Sequence, residues 1–471
     1  MIFTRISIAL VASVILTLCP GELANAEIST ENCKLASSSG NISVNLGWPR
    51  NKHWLSGLGQ KKFLVVGIDF SNAREPGTAD QMVKGFELGK VVSFYDKASY
   101  GKFQLDFTVA NEIINLPGPD NGIYDYQIAT EIAKQISRSY KLSEYDGLLG
   151  VVTSASSYIA SSAMPGFVIS NETGSISSTT IVAGISPKVA RWSSWMTVAH
   201  EIGHLLGFMD LWNRQDAQAW EGKTAAPFSL MNTGAGWTYA PDFYAWEKWL
   251  AGWIPDSDVI CLSANEVEAQ INLSALSNTN GKRLIVLPLS STRVAAIEFR
   301  SKSELDAGLQ KTGPLVYEVD FTKNQFELPI SLHPSSQSLQ KSFSADLQDW
   351  KRFVDAPLSP HEAIDIGSFR VANLADLSEN NLLISNQNLS EIDQKIDALI
   401  KSKTAIDTAA RDSKAKKEEE AKALANKLAP DKQSANNKNS PKKLTITCVK
   451  GKSIKKFTKV KPSCPAGYKK K

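Results

Sequence analysis

From residue 197 to 210 the chain reads Thr197-Val198-Ala199-His200-Glu201-Ile202-Gly203-His204-Leu205-Leu206-Gly207-Phe208-Met209-Asp210. On a helix, residues four apart share a face, so His200 and His204 can offer two imidazoles to one ion. Glu201 stands one residue past the first histidine, beside the ion rather than on it. From there a carboxylate can take a proton from a zinc-bound water. Val198, Ala199, Ile202, Leu205 and Leu206 are apolar, as a helix buried beneath a site requires. With five histidines in 471 residues, such a pairing with a glutamate at this position is seldom accidental. His53, His333 and His361 have no comparable neighbours and read as ordinary histidines.

A catalytic zinc site wants a third protein ligand and an open position for water. Gly207 is placed to end the helix, because glycine tolerates the left-handed backbone that reverses the chain. The turn can return Asp210 to the ion, in the spacing His-x-x-Gly-x-x-ligand; the plainer reading makes Asp210 a loop carboxylate that caps a following helix. Glu247, in a later aromatic helix, is the rival third ligand, and its plainer reading is a solvated or ion-paired residue. Met231 fits a hydrophobic floor beneath the metal, of the Met-turn kind, or else an ordinary core position. Tyr239, just past it, is a candidate stabiliser of a developing oxyanion.

These residues need a scaffold. Residues 63–69 are a short apolar, β-branched run that predicts a buried strand. A helical stretch follows over Met82–Ser99, then a strand at Phe103–Val109, a helix at Tyr126–Tyr140 and a further apolar run at Leu148–Val152. Strands alternating with helices imply a domain that mixes the two. The Ser-rich segment 153–183 predicts a surface loop lining a cleft. After Trp192 comes the motif's helix, then a Gly- and Trp-rich loop at Gly234–Trp237 and an aromatic helix at Phe243–Trp253. From residue 257 the texture changes: Val267, Ala269, Ile271 and Leu273 alternate with polar residues, and Leu284–Leu287, Val294–Phe299 and Leu315–Val319 are further strands. Ile392, Ile396, Leu399 and Ile400 then recur at helical spacing before a Lys/Glu/Ala run, Lys414–Ala425, stopped by Pro430. The expected organisation is a catalytic domain over 27–256, a β-rich domain over 257–385, a helical or disordered linker over 386–441 and a basic tail over 442–471.

The chain opens with Arg5, an apolar run from Ile6 to Leu18 and the triplet Ala24-Asn25-Ala26, which reads as a secretory signal peptide cut after Ala26. The run is shorter than the ~20 residues that span a bilayer, and no later segment is long enough, so no transmembrane segment is expected in the mature chain. Removing the signal also removes Cys19 and leaves Cys33, Cys261, Cys448 and Cys464. An even number in an exported chain predicts two disulfides, Cys33–Cys261 and Cys448–Cys464. Cys33 has a competing reading as a thiolate that blocks the zinc of a precursor, which leaves Cys261 without a partner. The net charge of +4 hides an asymmetry: residues 442–471 carry eleven lysines and no acid, which leaves −7 on the other 441 residues.

Beyond the motif, several segments resemble the immune inhibitor A-like family of secreted bacterial zinc metallopeptidases. Residues 63–71 resemble that family's first strand, and residues 93–103, with Ser99-Tyr100-Gly101-Lys102, its Ser-Tyr-Gly-Lys signature. Ser229-Leu230-Met231-Asn232, residues 245–253 and residues 313–320 resemble its Met segment, its Lys-x-x-x-Gly-Trp helix and a later β-domain strand. In order, these cover about residues 60–320. The family often has Leu-Pro-Asp after the motif's glycine, where this chain has Phe208-Met209-Asp210, and residues 27–60 are short for an inhibitory prosegment. The resemblance implies a zinc endopeptidase with His200 and His204 as ligands and Glu201 as base. It also implies an α+β fold whose catalytic domain is zincin-like (metzincin-like), with a mixed sheet and an active-site helix.

The expected reaction is hydrolysis of protein or peptide substrates outside the cell, with one zinc ion as cofactor and calcium left open as a second. The competing classes are a peptidase-like surface-binding protein without activity and a zinc hydrolase of a non-peptide substrate. The intact His200, Glu201 and His204 argue against the first, because a binding module has no chemical need for the base. The tail's chemistry favours polyanions such as a cell-wall polymer, which would hold the protein at the cell envelope. Nothing in the sequence points to nucleic acid.

Overall fold

The computed structural model describes residues 27–471 apart from 42, 119, 121, 159–160, 185–194, 212–227, 233–239, 266, 304, 336–337, 339–352, 375–380, 388 and 429–441. The signal segment, the Gly234–Trp237 loop, Tyr239 and most of the polar linker therefore lie outside the described residues. The chain divides into two compact units, one through Lys401 and one over Ser402–Lys471.

In chain order the first unit contains β1 (Glu27–Ile28), β2 (Gly59–Phe70), α1 (Ala79–Lys84), α2 (Leu88–Ala98), β3 (Phe103–Leu116), α3 (Asp125–Gln135) and β4 (Gly147–Val152). It continues with β5 (Ser161–Asn171), β6 (Gly174–Ala183), α4 (Trp195–Leu205), α5 (Ala245–Leu250), β7 (Val259–Leu262), β8 (Glu268–Asn272), β9 (Leu284–Pro288) and β10 (Arg293–Arg300). Last come β11 (Gly313–Asp320), β12 (Ile330–Leu332), β13 (Ala363–Ile366), β14 (Phe369–Asn373), β15 (Asn381–Ser385) and the start of α6 (Leu389–Leu428). The fold is mixed α+β.

The sheet nearest the histidine motif has the order β3-β2-β4-β6-β5, parallel except for the edge strand β5, which runs antiparallel to β6. Its central strands are apolar on both sides because helices cover both sides. Phe63, Val65, Leu149 and Val151 face a core shared with α2 and α4, while Leu64, Val66, Ile68 and Leu148 face Ile128, Ala129 and Ile132 of α3. The Ser-rich segment expected as a loop is one over residues 153–158, but from Ser161 to Ala183 it is instead the β5–β6 hairpin. Its hydroxyl residues hide the pattern yet tolerate burial when bonded: Thr180 is buried, and its Oγ1 donates to the Ser162 carbonyl at 2.8 Å. The single helix expected over Met82–Ser99 is two, α1 and α2, because the chain turns at Gly85–Glu87 and Glu87 takes a left-handed φ of 45°.

The strands beyond residue 256, joined by β1 from the N-terminal end, form a six-stranded sheet, β1-β7-β9-β10-β11-β12, that packs on a four-stranded sheet, β13-β14-β15-β8. Alternate residues sort cleanly. Ile285, Leu287, Ala295, Ile297 and Val316 meet Phe369, Val371, Leu382 and Ile384 between the sheets, whereas Leu284, Val286, Val294, Ala296 and Tyr317 join the core that contains α4 and α5. Cys33 and Cys261, both fully buried, are joined as a disulfide with Cα atoms 6.0 Å apart. The reading of Cys33 as a zinc-blocking thiolate is thereby corrected, since its sulfur is committed to Cys261.

In the second unit, the described side chains of α6 from Ser402 to Lys422 are almost all exposed. The tail forms β16 (Leu444–Lys450), β17 (Ser453–Lys459) and β18 (Lys469–Lys470) in the order β17-β16-β18, closed by Cys448–Cys464. Among the described residues, no helix is long and apolar enough to cross a membrane.

Candidate metal centre

α4 ends as its sequence requires. The Gly207 N–H donates to the His204 carbonyl at 2.9 Å and the Phe208 N–H to the Gly203 carbonyl at 3.1 Å, the two bonds of a Schellman cap. Gly207 supplies the left-handed residue, with φ of +95°, and a β-carbon there would lie 2.3 Å from the Trp54 ring. The remaining carbonyls at the helix end are met by residues 45–55: Asn45 N–H donates to Gly207, Leu55 N–H to Leu205 and Arg50 Nη2 to Leu206. The segment before the first long strand is thus built into the support of the site. From the other side, the Tyr95 hydroxyl of α2 donates to the Ala199 carbonyl at 2.5 Å.

The cap returns the chain so that Asp210 faces both histidines. His200 Nε2 lies 3.1 Å from Asp210 Oδ1 and His204 Nε2 3.5 Å from Oδ2, with all three residues at most 8% exposed. One ligand atom from each falls within 4.8 Å of the others, so this group could hold a metal ion. The spacing fits: ligands about 2.1 Å from a tetrahedral ion lie roughly 3.4 Å from one another. The far side of each ring is anchored. His200 Nδ1–H donates to the Leu230 carbonyl at 2.9 Å and His204 Nδ1–H to the Phe208 carbonyl at 2.8 Å. A carbonyl can only accept, so Nδ1 carries the proton in each ring and Nε2 is the atom left for an ion.

With no ion bound, charge in the site is finely balanced. Burial opposes a charge on His200, but the hydrogen bond and charge of Asp210, with Glu201 behind them, raise its pKa to about 9. For His204, burial outweighs Asp210 and, with the charge on His200, lowers its pKa below the usual imidazole value. Glu201 is pushed up to about 7, chiefly by burial; His200 opposes the rise, and Asp210 and Asp125 add to it. A carboxyl near neutrality suits proton transfer at physiological pH.

Met231 lies where a floor should be. Its sulfur packs under α4 so closely that a β-carbon on Gly203 would be 2.5 Å from it, and its carbonyl accepts from Leu211 N–H at 3.0 Å, next to Asp210. Gly203, between the two histidines, therefore has a steric reason to be glycine. Glu247 stands apart from the group of three: it is fully buried, and its Oε2 accepts from Ser229 Oγ at 2.8 Å and from Tyr244 N–H at 2.9 Å. Two residues near Glu201 escaped the sequence reading. The Tyr158 hydroxyl and Ser162 Oγ both donate to the Asp125 carboxylate, and Asp125 and Tyr158 interact electrostatically with Glu201. Nothing in their local sequence marks them, because only the packing of α3 and α4 against β5 brings them near.

No family model matches the sequence, and no curated protein matches it. Among solved structures, the archaemetzincin of Methanopyrus kandleri is 16% identical, with a TM-score of 0.22, over 41% of this chain and 94% of that one. At that TM-score the likeness carries nothing for the reading of the site. The resemblance to the immune inhibitor A-like family rests on the motifs alone.

Proposed function

We propose that the chain is a secreted zinc-dependent endopeptidase, with a zincin-like catalytic portion within residues 27–256 supported by the β-rich region 257–385. The observation that carries this reading is the convergence of His200, His204 and Asp210, with Glu201 beside them on α4. When bound, zinc would supply a Lewis acid that lowers the pKa of a water molecule to ~7 and polarises the scissile carbonyl. His200 and His204 would hold the ion through Nε2, each kept in one tautomer by its carbonyl partner, and Asp210 would neutralise part of its charge. Glu201 accepts the water's proton on its carboxylate and returns it to the leaving amine. Met231 and the apolar side of α4 keep the region below the site dry.

Export is supported by the N-terminal signal pattern and by two disulfides, which are typical of extracellular proteins. The tail is proposed to bind an anionic polymer of the cell envelope: its eleven lysines are all exposed, and among the described residues none is ion-paired within the chain.

The test combines metal content with casein or gelatin hydrolysis, with and without chelator. Purified protein should hold about one zinc and lose activity to the chelator. Glu201→Gln should keep the metal and lose activity by ~10²-fold or more. Wild-type hydrolysis by that variant would remove Glu201 from the mechanism, and zinc binding without any proteolysis would favour a non-peptide substrate.

A further inference from the structure

Behind His200 lies a chain of buried hydrogen bonds that ends on a carboxyl outside the ligand set. The Leu230 carbonyl that receives His200 Nδ1–H belongs to a tight turn, in which the Asn232 N–H donates to the Ser229 carbonyl at 3.1 Å. One hydroxyl pins that turn. Ser229 Oγ accepts from the Met231 N–H at 3.1 Å and donates to Glu247 Oε2 at 2.8 Å. Ser229, Leu230, Met231 and Glu247 are all fully buried.

α5, which carries Glu247, is itself locked in place. The Ala245 N–H donates to Glu298 Oε2 at 2.5 Å, Glu298 pairs with Arg300 at 2.9 Å, and Arg300 pairs with Asp306 at 2.7 Å, all within the core. We propose that Glu247 is a positioning residue for the metal centre: by holding Ser229 it fixes the Leu230 carbonyl and, through it, the ring of His200. This rests on the reading of His200, His204 and Asp210 as a zinc site.

Stability alone does not account for Glu247. Burying a carboxyl is costly, and its Oε1 has no hydrogen-bond partner among the described residues. An apolar residue would pack there more cheaply. What the carboxyl adds is one acceptor atom that joins the start of α5, through the Tyr244 N–H, to the turn beneath His200. Loss of such outer partners of a ligating histidine typically weakens metal binding by 10–100-fold.

The experiment measures zinc affinity of the full chain by competition with a chromogenic chelator, alongside thermal unfolding of the metal-free protein. Wild type is compared with Glu247→Leu, Glu247→Gln and Ser229→Ala. Glutamine keeps a carbonyl oxygen for Ser229 and Tyr244, whereas leucine keeps only the bulk. Glu247→Leu and Ser229→Ala should weaken zinc binding about tenfold or more, and Glu247→Gln should stay within about threefold of wild type. Wild-type affinity in Glu247→Leu would overturn the inference, as would equal losses in the Gln and Leu variants, which would assign the effect to charge. If Glu247→Leu does not fold, Ser229→Ala decides on the same criterion. Wild-type protein that binds no zinc would overturn the metal reading itself, a result visible before any variant is compared.

Discussion

Two regions of this chain treat their ionisable side chains in opposite ways. Around α4, His200, Glu201, His204 and Asp210 are at most 8% exposed, and both rings and Asp210 are held by hydrogen bonds. In the tail, every lysine is exposed, and the fold is held by local means: a hairpin between β16 and β17 and a disulfide spanning 16 residues. The group that could hold an ion recruits backbone from far along the chain, here from residues 45–55 and from Leu230. A surface that need only present charge can be built from its own neighbours and leave its side chains to solvent. Substitutions should therefore propagate in the first region and stay local in the second.

Removing a ligand should have the largest effect. Asp210→Ala is expected to lower zinc affinity by ~10²-fold or more, beyond the loss in Glu247→Leu, because on the proposed reading a direct ligand is lost rather than a distant support. Chelator competition measures both, and equal losses would erase the distinction between Asp210 and Glu247.

Two glycines then test the contrast directly. Gly207 and Gly451 both have positive φ, +95° and +58°, but a β-carbon on Gly207 meets the Trp54 ring at 2.3 Å, while one on Gly451 has nothing within 4 Å. Gly451→Ala should cost the tail only the ~1–2 kcal/mol of left-handed backbone. Gly207→Ala should add overpacking of ~1–3 kcal/mol and displace the cap that carries Asp210. Calorimetric melting of the two variants reads the difference, and similar losses would show that Trp54 yields freely.

Acid–base behaviour gives an effect of up to a few kcal/mol for each group. With chelator present, the folded state holds protons on Glu201, Glu247 and His200 more tightly than the unfolded chain does, with raised pKa values of about 7, 8 and 9. The stability these groups contribute is complete below their unfolded values and is lost as pH rises through the folded ones. Metal-free protein should thus melt at progressively lower temperature from pH 5 to 9, with the lowered pKa of His204 opposing the trend only below its unfolded value of 6.5. Glu247→Gln should flatten that slope below its folded value of about 8; an unchanged slope would remove Glu247 as a contributor.

Deleting residues 442–471 should change least. The proposed peptidase activity and the melting of the first unit are expected to match wild type, because among the described residues the tail's strands pair with one another. What should change is co-sedimentation with cell envelopes, which the full chain is expected to show at low salt and to lose as salt screens charge over ~10 Å at 0.1 M. Equal sedimentation of the truncated protein would place the anchor elsewhere.

Much of this was legible in the sequence, for reasons of short range. The i, i+4 histidines with the intervening glutamate, the glycine that ends the helix and the basic, cysteine-paired tail are local patterns whose chemistry does not depend on distant partners. The apolar runs at residues 63–69, 148–152, 284–287 and 315–319 announced strands because burial on both faces removes alternation. The β5–β6 hairpin was not legible, because serine and threonine hydroxyls conceal burial that tertiary hydrogen bonds make tolerable. Nor could the sequence separate Asp210 from Glu247. Both are carboxylates near the motif, and only the Schellman turn at Gly207 aims one at the histidines, while α5 commits the other to Ser229. The motif determined which atoms could act on a metal. Their angles and tautomers were decided by carbonyls at Phe208 and Leu230, whose direction is a property of the folded backbone and not of any residue's identity.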